Sequence, residues 1–188
     1  MKQVYLIHGW GGNPKESWFP WLKKELKKRK IKVIIPKMPN TNHPKIEEWI
    51  KKIREIIKKP SKNTILIGHS IGCQAIMRYL ERLEKGAKVS KVIFIAGWFN
   101  LTDEVWDENY TKDIAEPWIN TPINFNKIKS HSNSFIVIAS DDGPYVSLED
   151  VKIFEKELNA KTIILKNKGH ICQEYGVKEF PEILEFIK

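Results

Sequence analysis

Gly68-His69-Ser70-Ile71-Gly72 follows directly on the apolar run Thr64-Ile65-Leu66-Ile67, and this junction decides the fold. A β-branched run that ends in Gly-x-Ser-x-Gly and then turns amphipathic describes a strand bending sharply into a helix. The glycines permit close backbone approach, and the serine hydroxyl is left exposed above a sheet. Downstream, Ala75, Ile76, Tyr79, Leu80 and Leu83 recur at helical spacing. The plainer reading, a Gly-rich turn carrying a surface serine, leaves both flanking patterns unexplained.

Outward from this junction, short apolar runs alternate with helical patterns along the whole chain. Strand-like runs fall at 4–7, 32–36, 64–67, 91–96, 135–139 and 162–165, and helical stripes at 17–30, 45–59, 71–85, 147–158 and 177–187. Continuous apolar strands separated by helices imply an α/β fold. They predict a parallel sheet of about six strands, covered on both faces as a three-layer sandwich with right-handed crossovers. Ser147-Leu148-Glu149-Asp150 opens its helix with the spacing of a capping box. From 97 to 124 there is no clear period, although the segment carries Trp98, Phe99, Trp106, Tyr110 and Trp118 among several carboxylates. A connection of that length reads as a cap or pocket wall. Its aromatics would line an acyl-binding side or cover the edge of the sheet.

A serine needs a base, an acid that orients the base, and donors for a developing oxyanion. In a strand-turn-helix arrangement of this kind the order along the chain is serine, acid, histidine. Only His131 and His170 follow Ser70. His170 sits in Asn167-Lys168-Gly169-His170 after the run Thr162-Ile163-Ile164-Leu165, at the carboxyl end of a strand, where open α/β sheets build their sites. His131 precedes a strand and reads as a solvated histidine on the opposite rim. His170 is therefore the candidate base, and His8 reads as a residue that braces its loop. The acid is expected after Phe135-Ile136-Val137-Ile138-Ala139, in Ser140-Asp141-Asp142-Gly143-Pro144. Asp142 is the candidate, with Asp141 in reserve and Asp103 as an outside choice; alternatively both turn aspartates only bond nearby backbone. His8-Gly9-Trp10-Gly11-Gly12 follows the run Val4-Tyr5-Leu6-Ile7. It offers the backbone N–H of Trp10 as one oxyanion donor, with that of Ile71 as the other. The same glycines fit neither a dinucleotide fingerprint nor a Walker motif.

The 188 residues suit one domain spanning 1–188, with 41% apolar and 29% charged residues. The net charge of +9 raises nucleic-acid binding. However, the lysines at 23–30 and at 51–59 accompany amphipathic stripes as solvated faces, and no nucleic-acid motif is present. No apolar run is long enough to span a bilayer, and the first strand starts too early for a signal peptide. A cytoplasmic protein, monomeric or a small homo-oligomer, is the expectation. Cys73 and Cys172 show no zinc spacing. They lie close in sequence to Ser70 and His170, so they are expected near one another as free thiols. No cofactor and no metal are expected.

The motifs together resemble the α/β-hydrolases, and more closely the small serine hydrolases of the retinoblastoma-binding protein 9 and YdeN type. The resemblance covers essentially the whole chain. It is carried by His8-Gly9-Trp10-Gly11-Gly12, Trp18-Phe19-Pro20-Trp21, Pro39 with the Pro44–Trp49 stretch, Gly68-His69-Ser70-Ile71-Gly72, the 142–146 turn and Gly169-His170. It implies a minimal α/β-hydrolase fold, a Ser70-Asp142-His170 triad, no cofactor, and hydrolysis of small esters. One position departs from the family: its acid stands immediately before proline, whereas here Gly143 intervenes between Asp142 and Pro144. The sequence thus reads as a cofactor-independent serine hydrolase acting on small carboxylic esters through an acyl-enzyme. The alternative is a weakened hydrolase scaffold serving as a protein-binding module.

Overall fold

The computed structural model of the protein describes residues 2–102 and 109–187. Six parallel strands form one sheet: β1 (Gln3–Ile7), β2 (Lys32–Ile34), β3 (Thr64–His69), β4 (Lys91–Ile95), β5 (Phe135–Ser140) and β6 (Lys161–Leu165). Their order is β2-β1-β3-β4-β5-β6. Side chains alternate between its two faces, as the two-residue period of a strand requires. Val4, Leu6, Ile65, Ile67, Ile93 and Ile95 enter one apolar layer, and Tyr5, Ile7, Leu66, Val92 and Phe94 the other.

Helices cover both faces. Helix α1 (Phe19–Lys28) and the 3-10 turn Pro181–Phe186 close the first layer with Phe19, Leu22, Leu26, Phe180 and Ile183. Helices α2 (Ile46–Ile56), α3 (Ile71–Glu81) and α6 (Leu148–Leu158) close the second, through residues such as Trp49, Ile76, Tyr79 and Phe154. Among the described residues no helix is long and apolar enough to cross a membrane. After β1 the chain builds β2 on one side and then crosses to β3 on the other, which opens a crevice at the carboxyl ends of β1 and β3. The pairing of Ile7 with Gly68 brings the loop after β1 level with the turn after β3.

Three local expectations are corrected. The stripe at 177–187 forms no α-helix but a 3-10 turn from Pro181, because proline has no N–H and disfavours helical backbone at Phe180. The capping box at Ser147 is not made: Ser147 gives no side-chain cap. Asp150 instead reaches across to accept the N–H groups of Phe99 at 2.7 Å and Asn100 at 2.8 Å. The aperiodic stretch 97–124 contains helix α4 (Asn109–Asn120), with Pro117 inside it. A short helix α5 (Phe125–Lys129) follows.

The end of α4 is held by a residue of α3. The fully buried Arg78 donates to the carbonyls of Trp118 at 2.7 Å and Thr121 at 2.9 Å, satisfying groups that a helix terminus leaves open. Trp118 donates its indole N–H to Pro44 and packs edge-on against Trp49. Trp98, Phe99 and Trp118 belong to the layer on the α2/α3 face. Trp106 and Asp103 lie outside the described residues, and the Tyr110 side chain is not among those described.

Candidate active site

Ser70 stands between β3 and α3 with φ 53° and ψ −125°, a conformation that L-residues rarely adopt. Holding such a residue costs on the order of 1–3 kcal/mol, and the surroundings must enforce it. The Ser70 N–H donates to the Ile95 carbonyl at 2.9 Å, and the Ser70 carbonyl accepts the Cys73 N–H at 2.9 Å. Both elbow glycines are required by contact: a Cβ on Gly72 would collide with the Ile7 carbonyl oxygen, and one on Gly68 with the Cys73 backbone. Helix α3 is thereby drawn against β1, and Ser70 is lifted to the rim of the crevice with 9% of its surface exposed.

The loop after β1 is pinned at several points. His8 donates its Nδ1–H to the Gly9 carbonyl at 2.9 Å and accepts the Met38 N–H on Nε2 at 3.2 Å. These two bonds fix its tautomer and leave it a brace, as expected. The Trp10 indole donates to the Asn42 carbonyl at 2.9 Å, while the N–H groups of Gly11 and Gly12 go to the carbonyls of Thr41 and Gly9. Ile71 is the first residue of α3, so its N–H has no acceptor within the helix. The positive end of that helix dipole lies beside Ser70. Trp10 and Ser70 line one cleft of about 420 Å³.

His170 lines the same cleft. Its loop is bent at both sides of the imidazole, with positive φ at Asn167, Gly169 and Ile171; for a β-branched residue such as Ile171 that is an outlier. At Gly169 the Tyr175 ring occupies the place a Cβ would take. Ile171 is wholly buried, and its carbonyl accepts the Trp18 indole N–H at 2.9 Å. Positive-φ backbone thus occurs at Ser70 itself and on both sides of His170, at Gly169 and Ile171.

Three successive N–H groups of this loop are held by three successive side chains at the end of β5. Asn167 donates to Asp141 Oδ1 at 3.0 Å, Lys168 to Ser140 Oγ at 2.8 Å, and Gly169 to Asp142 Oδ1 at 2.8 Å. The Ser140 hydroxyl in turn donates to Asp142 Oδ1 at 2.5 Å. The structure therefore brings Asp142 to the residue next to His170, with its carboxylate engaged on backbone and Ser140. The imidazole Nδ1 is buried and has no hydrogen-bond partner among the described residues. Ser140 escaped the sequence reading. A hydroxyl two residues before an acid was its only signal.

His69 is the second unforeseen participant. Its Nε2–H donates to the His170 carbonyl at 2.9 Å, and the two rings meet edge-on at 5.0 Å. Tyr145 also meets the imidazole edge-on, at 5.1 Å. Burial lowers the His170 pKa to about 3, with neighbouring His69 pushing the same way. Burial also lowers His69 to about 4, opposed by its bond to the His170 carbonyl. Both imidazoles are neutral at physiological pH. The Ser140 hydroxyl and then the Gly169 N–H hold the exposed Asp142 carboxyl below its usual range.

The remaining wall of the cleft comes from Phe19, Ser17, Glu16, Cys172, Gln173 and Glu174. Burial raises the Glu16 pKa, and the charge of Glu174 adds to it, while its bonds from Asn13 oppose the shift. No lysine or arginine lines the cleft among the described residues, although the chain carries +9 overall. The described aromatics of the 97–124 stretch are also absent from it; the apolar surface comes from Trp10 and Phe19. Both thiols are free: Cys73 is buried against the Ile95 carbonyl and Gly97, while Cys172 faces the cleft. His131 is not solvated; it is buried at the opposite rim, bonded to the Ala87 carbonyl at 2.8 Å.

Comparison with known proteins agrees with this architecture. YdeN of Bacillus subtilis (strain 168) is 28% identical over 186 residues, covering 99% of this chain and 94% of YdeN. The serine hydrolase RBBP9 of Rattus norvegicus is 25% identical over 182 residues, covering 96% of this chain and 90% of its own. The crystal structure of the ydeN gene product from B. subtilis superposes with a TM-score of 0.90 at 28% identity, over 100% of this chain and 97% of that one. A carboxylesterase structure from the thaumarchaeon Nitrososphaera gargenis shares the fold at a TM-score of 0.72 and 16% identity, over 99% and 88% of the two chains. The family model described as Serine hydrolase matches residues 4–188. The protein is an α/β-hydrolase-fold enzyme and belongs to the serine hydrolase family.

Proposed function

We propose that the protein hydrolyses small carboxylic esters through an acyl-enzyme on Ser70. The observation that carries this reading is the shared cleft: the strained Ser70 and the imidazole of His170 line it together with the Trp10 loop. Ser70 Oγ attacks the acyl carbonyl while His170 Nε2 takes its proton; the same proton is then returned to the departing alcohol. Water repeats the sequence to release the acid and restore the serine. The backbone N–H groups of Trp10 and Ile71 receive the oxyanion, where removal of one such donor costs roughly a hundredfold to a thousandfold in turnover. Asp142 is the acid that serves the imidazolium as it forms, with Asp141 in reserve. The substrate is a small molecule, because the cleft of about 420 Å³ has Trp10 and Phe19 as its apolar surface and offers no long acyl channel among its described walls.

That His170 Nδ1 has no partner among the described residues favours a second reading, a hydrolase scaffold with weakened turnover that binds a partner. Hydrolysis of p-nitrophenyl acetate and butyrate by wild type, Ser70→Ala and His170→Ala separates the two. The esterase reading requires turnover that both substitutions abolish. Turnover equal in all three proteins would favour the binding module.

A further inference from the structure

The loop that presents His170 is tied to the end of β5, and one side chain takes part at both ends of the tie. The Ser140 hydroxyl has a single proton, which it gives to Asp142 Oδ1 at 2.5 Å; the Leu165 carbonyl, at 3.5 Å, is the poorer acceptor. Its lone pair accepts the Lys168 N–H at 2.8 Å. The same Asp142 oxygen takes the Gly169 N–H at 2.8 Å, so two donors converge on it. One residue further along the loop, His170 Nδ1 is buried and without a partner among the described residues.

We propose that Ser140 is a positioning residue whose hydroxyl holds the Asp142 carboxylate on the backbone of the base loop and so controls when the acid serves His170. The proposal rests on the triad reading of Ser70, His170 and Asp142. In the resting protein Nδ1 offers no charge, and the carboxylate remains with Ser140 and Gly169. When the proton of Ser70 Oγ passes to Nε2, the ring becomes a cation and Nδ1–H a charged donor. A charge-assisted hydrogen bond is about twice as strong as one from a neutral hydroxyl, so the carboxylate is drawn to the ring at that moment. No proton crosses to Asp142, and the Ser140–Lys168 bond keeps the loop in place.

The imidazole is faced by groups from several elements. His69 packs on it from β3, and Tyr145 from the turn after β5. Tyr175 packs on Gly169, the residue before it. Glu16 and Glu174 share its cleft, and Asp141 is held on the Asn167 N–H. Burial keeps His69 neutral near physiological pH. The carboxylate nearest along the loop is Asp142, and only Ser140 among its partners can be altered without changing backbone.

The test is an NMR titration of the His170 ring in the unliganded protein, joined to the pH profile of kcat/KM, for wild type, Ser140→Ala, Ser140→Thr, Asp142→Asn and Ser140→Ala/Asp142→Asn. In Ser140→Ala the freed carboxylate pairs with the ring, and both the midpoint and the acid limb rise by about one pH unit or more. Ser140→Thr, which keeps the hydroxyl, behaves as wild type, and the double variant loses the rise. Asp142→Asn leaves the resting midpoint where it was while lowering turnover. A midpoint in folded Ser140→Ala equal to that of wild type overturns the proposal, and so does a rise that persists in the double variant. If Ser140→Ala does not fold, a midpoint that falls in Asp142→Asn overturns it alone, since the acid would then already serve the ring at rest. The titration needs no turnover. Failure of the esterase reading would show separately, as ester hydrolysis that survives Ser70→Ala.

Discussion

His69 Nε2 donates to the backbone carbonyl of His170 across 2.9 Å, so the residue before the proposed nucleophile holds in place the residue proposed as its base. The bond joins the end of β3 to the loop after β6, two strands separated by β4 and β5 in the sheet. It fixes the His69 tautomer with the proton on Nε2, because a carbonyl can only accept.

Removing that donor should loosen the base without touching the substrate. His69→Phe keeps a ring in the buried site and deletes the hydrogen bond, which is worth about 1–1.5 kcal/mol. We expect kcat to fall roughly tenfold with KM little changed. Steady-state kinetics on p-nitrophenyl butyrate measure this. A KM rise with intact kcat would assign His69 to substrate binding instead.

Three depressed histidines, His8, His69 and His170, make stability depend on pH. Unfolded, each imidazole binds a proton below about pH 6.5, whereas in the folded protein His69 and His170 resist protonation until about 4 and about 3. Between those limits the unfolded state holds more protons, so stability falls as pH falls. The slope is up to about 1.4 kcal/mol per pH unit for each histidine. Urea unfolding between pH 7 and pH 4 should show this loss, and His69→Phe should remove part of the slope. An unchanged slope in that variant would show that His69 is not the group responsible.

The cleft and the surface carry opposite electrostatics. Among the described residues Glu16 and Glu174 line the cleft without an accompanying lysine or arginine, so anionic esters are expected to be disfavoured there despite the basic chain. Neutralising Glu174 should improve kcat/KM for a hemisuccinate ester relative to an uncharged ester of similar size. About 1 kcal/mol of repulsion at short range in a solvated site corresponds to roughly fivefold. The ratio of the two rates in Glu174→Gln, taken at low salt, reads the effect. An equal ratio in both proteins would place the charged part of the substrate elsewhere.

Much of this molecule is legible in the chain because its signals are local. All six strands are visible as apolar runs. The inner four, β1, β3, β4 and β5, are buried on both faces and need apolar side chains at nearly every position. The part-exposed edge strands β2 and β6 carry short β-branched runs. Gly68 and Gly72 can be read as close-contact positions from their spacing alone. Other features depend on contacts across the sequence and leave no local mark. Asp150 has the spacing of half a capping box, yet its carboxylate serves Phe99 and Asn100 some fifty residues away. Helix α4 carries Pro117 inside it, a residue that reads as a helix breaker, and Arg78 and Trp118 are among the residues that anchor it. The carboxylate turn is evident in the sequence, but neither its spacing nor its composition reveals that Ser140, Asp141 and Asp142 each take one N–H of the histidine loop.

The central claim is that Ser70 is a nucleophile activated within this cleft. Labelling with a fluorophosphonate, followed by peptide mapping, tests it most directly. The account predicts a single adduct on Ser70 in wild type, none in Ser70→Ala, and labelling slowed by at least about a hundredfold in His170→Ala. A wild-type protein that takes no label, or takes it equally well in Ser70→Ala, would contradict it.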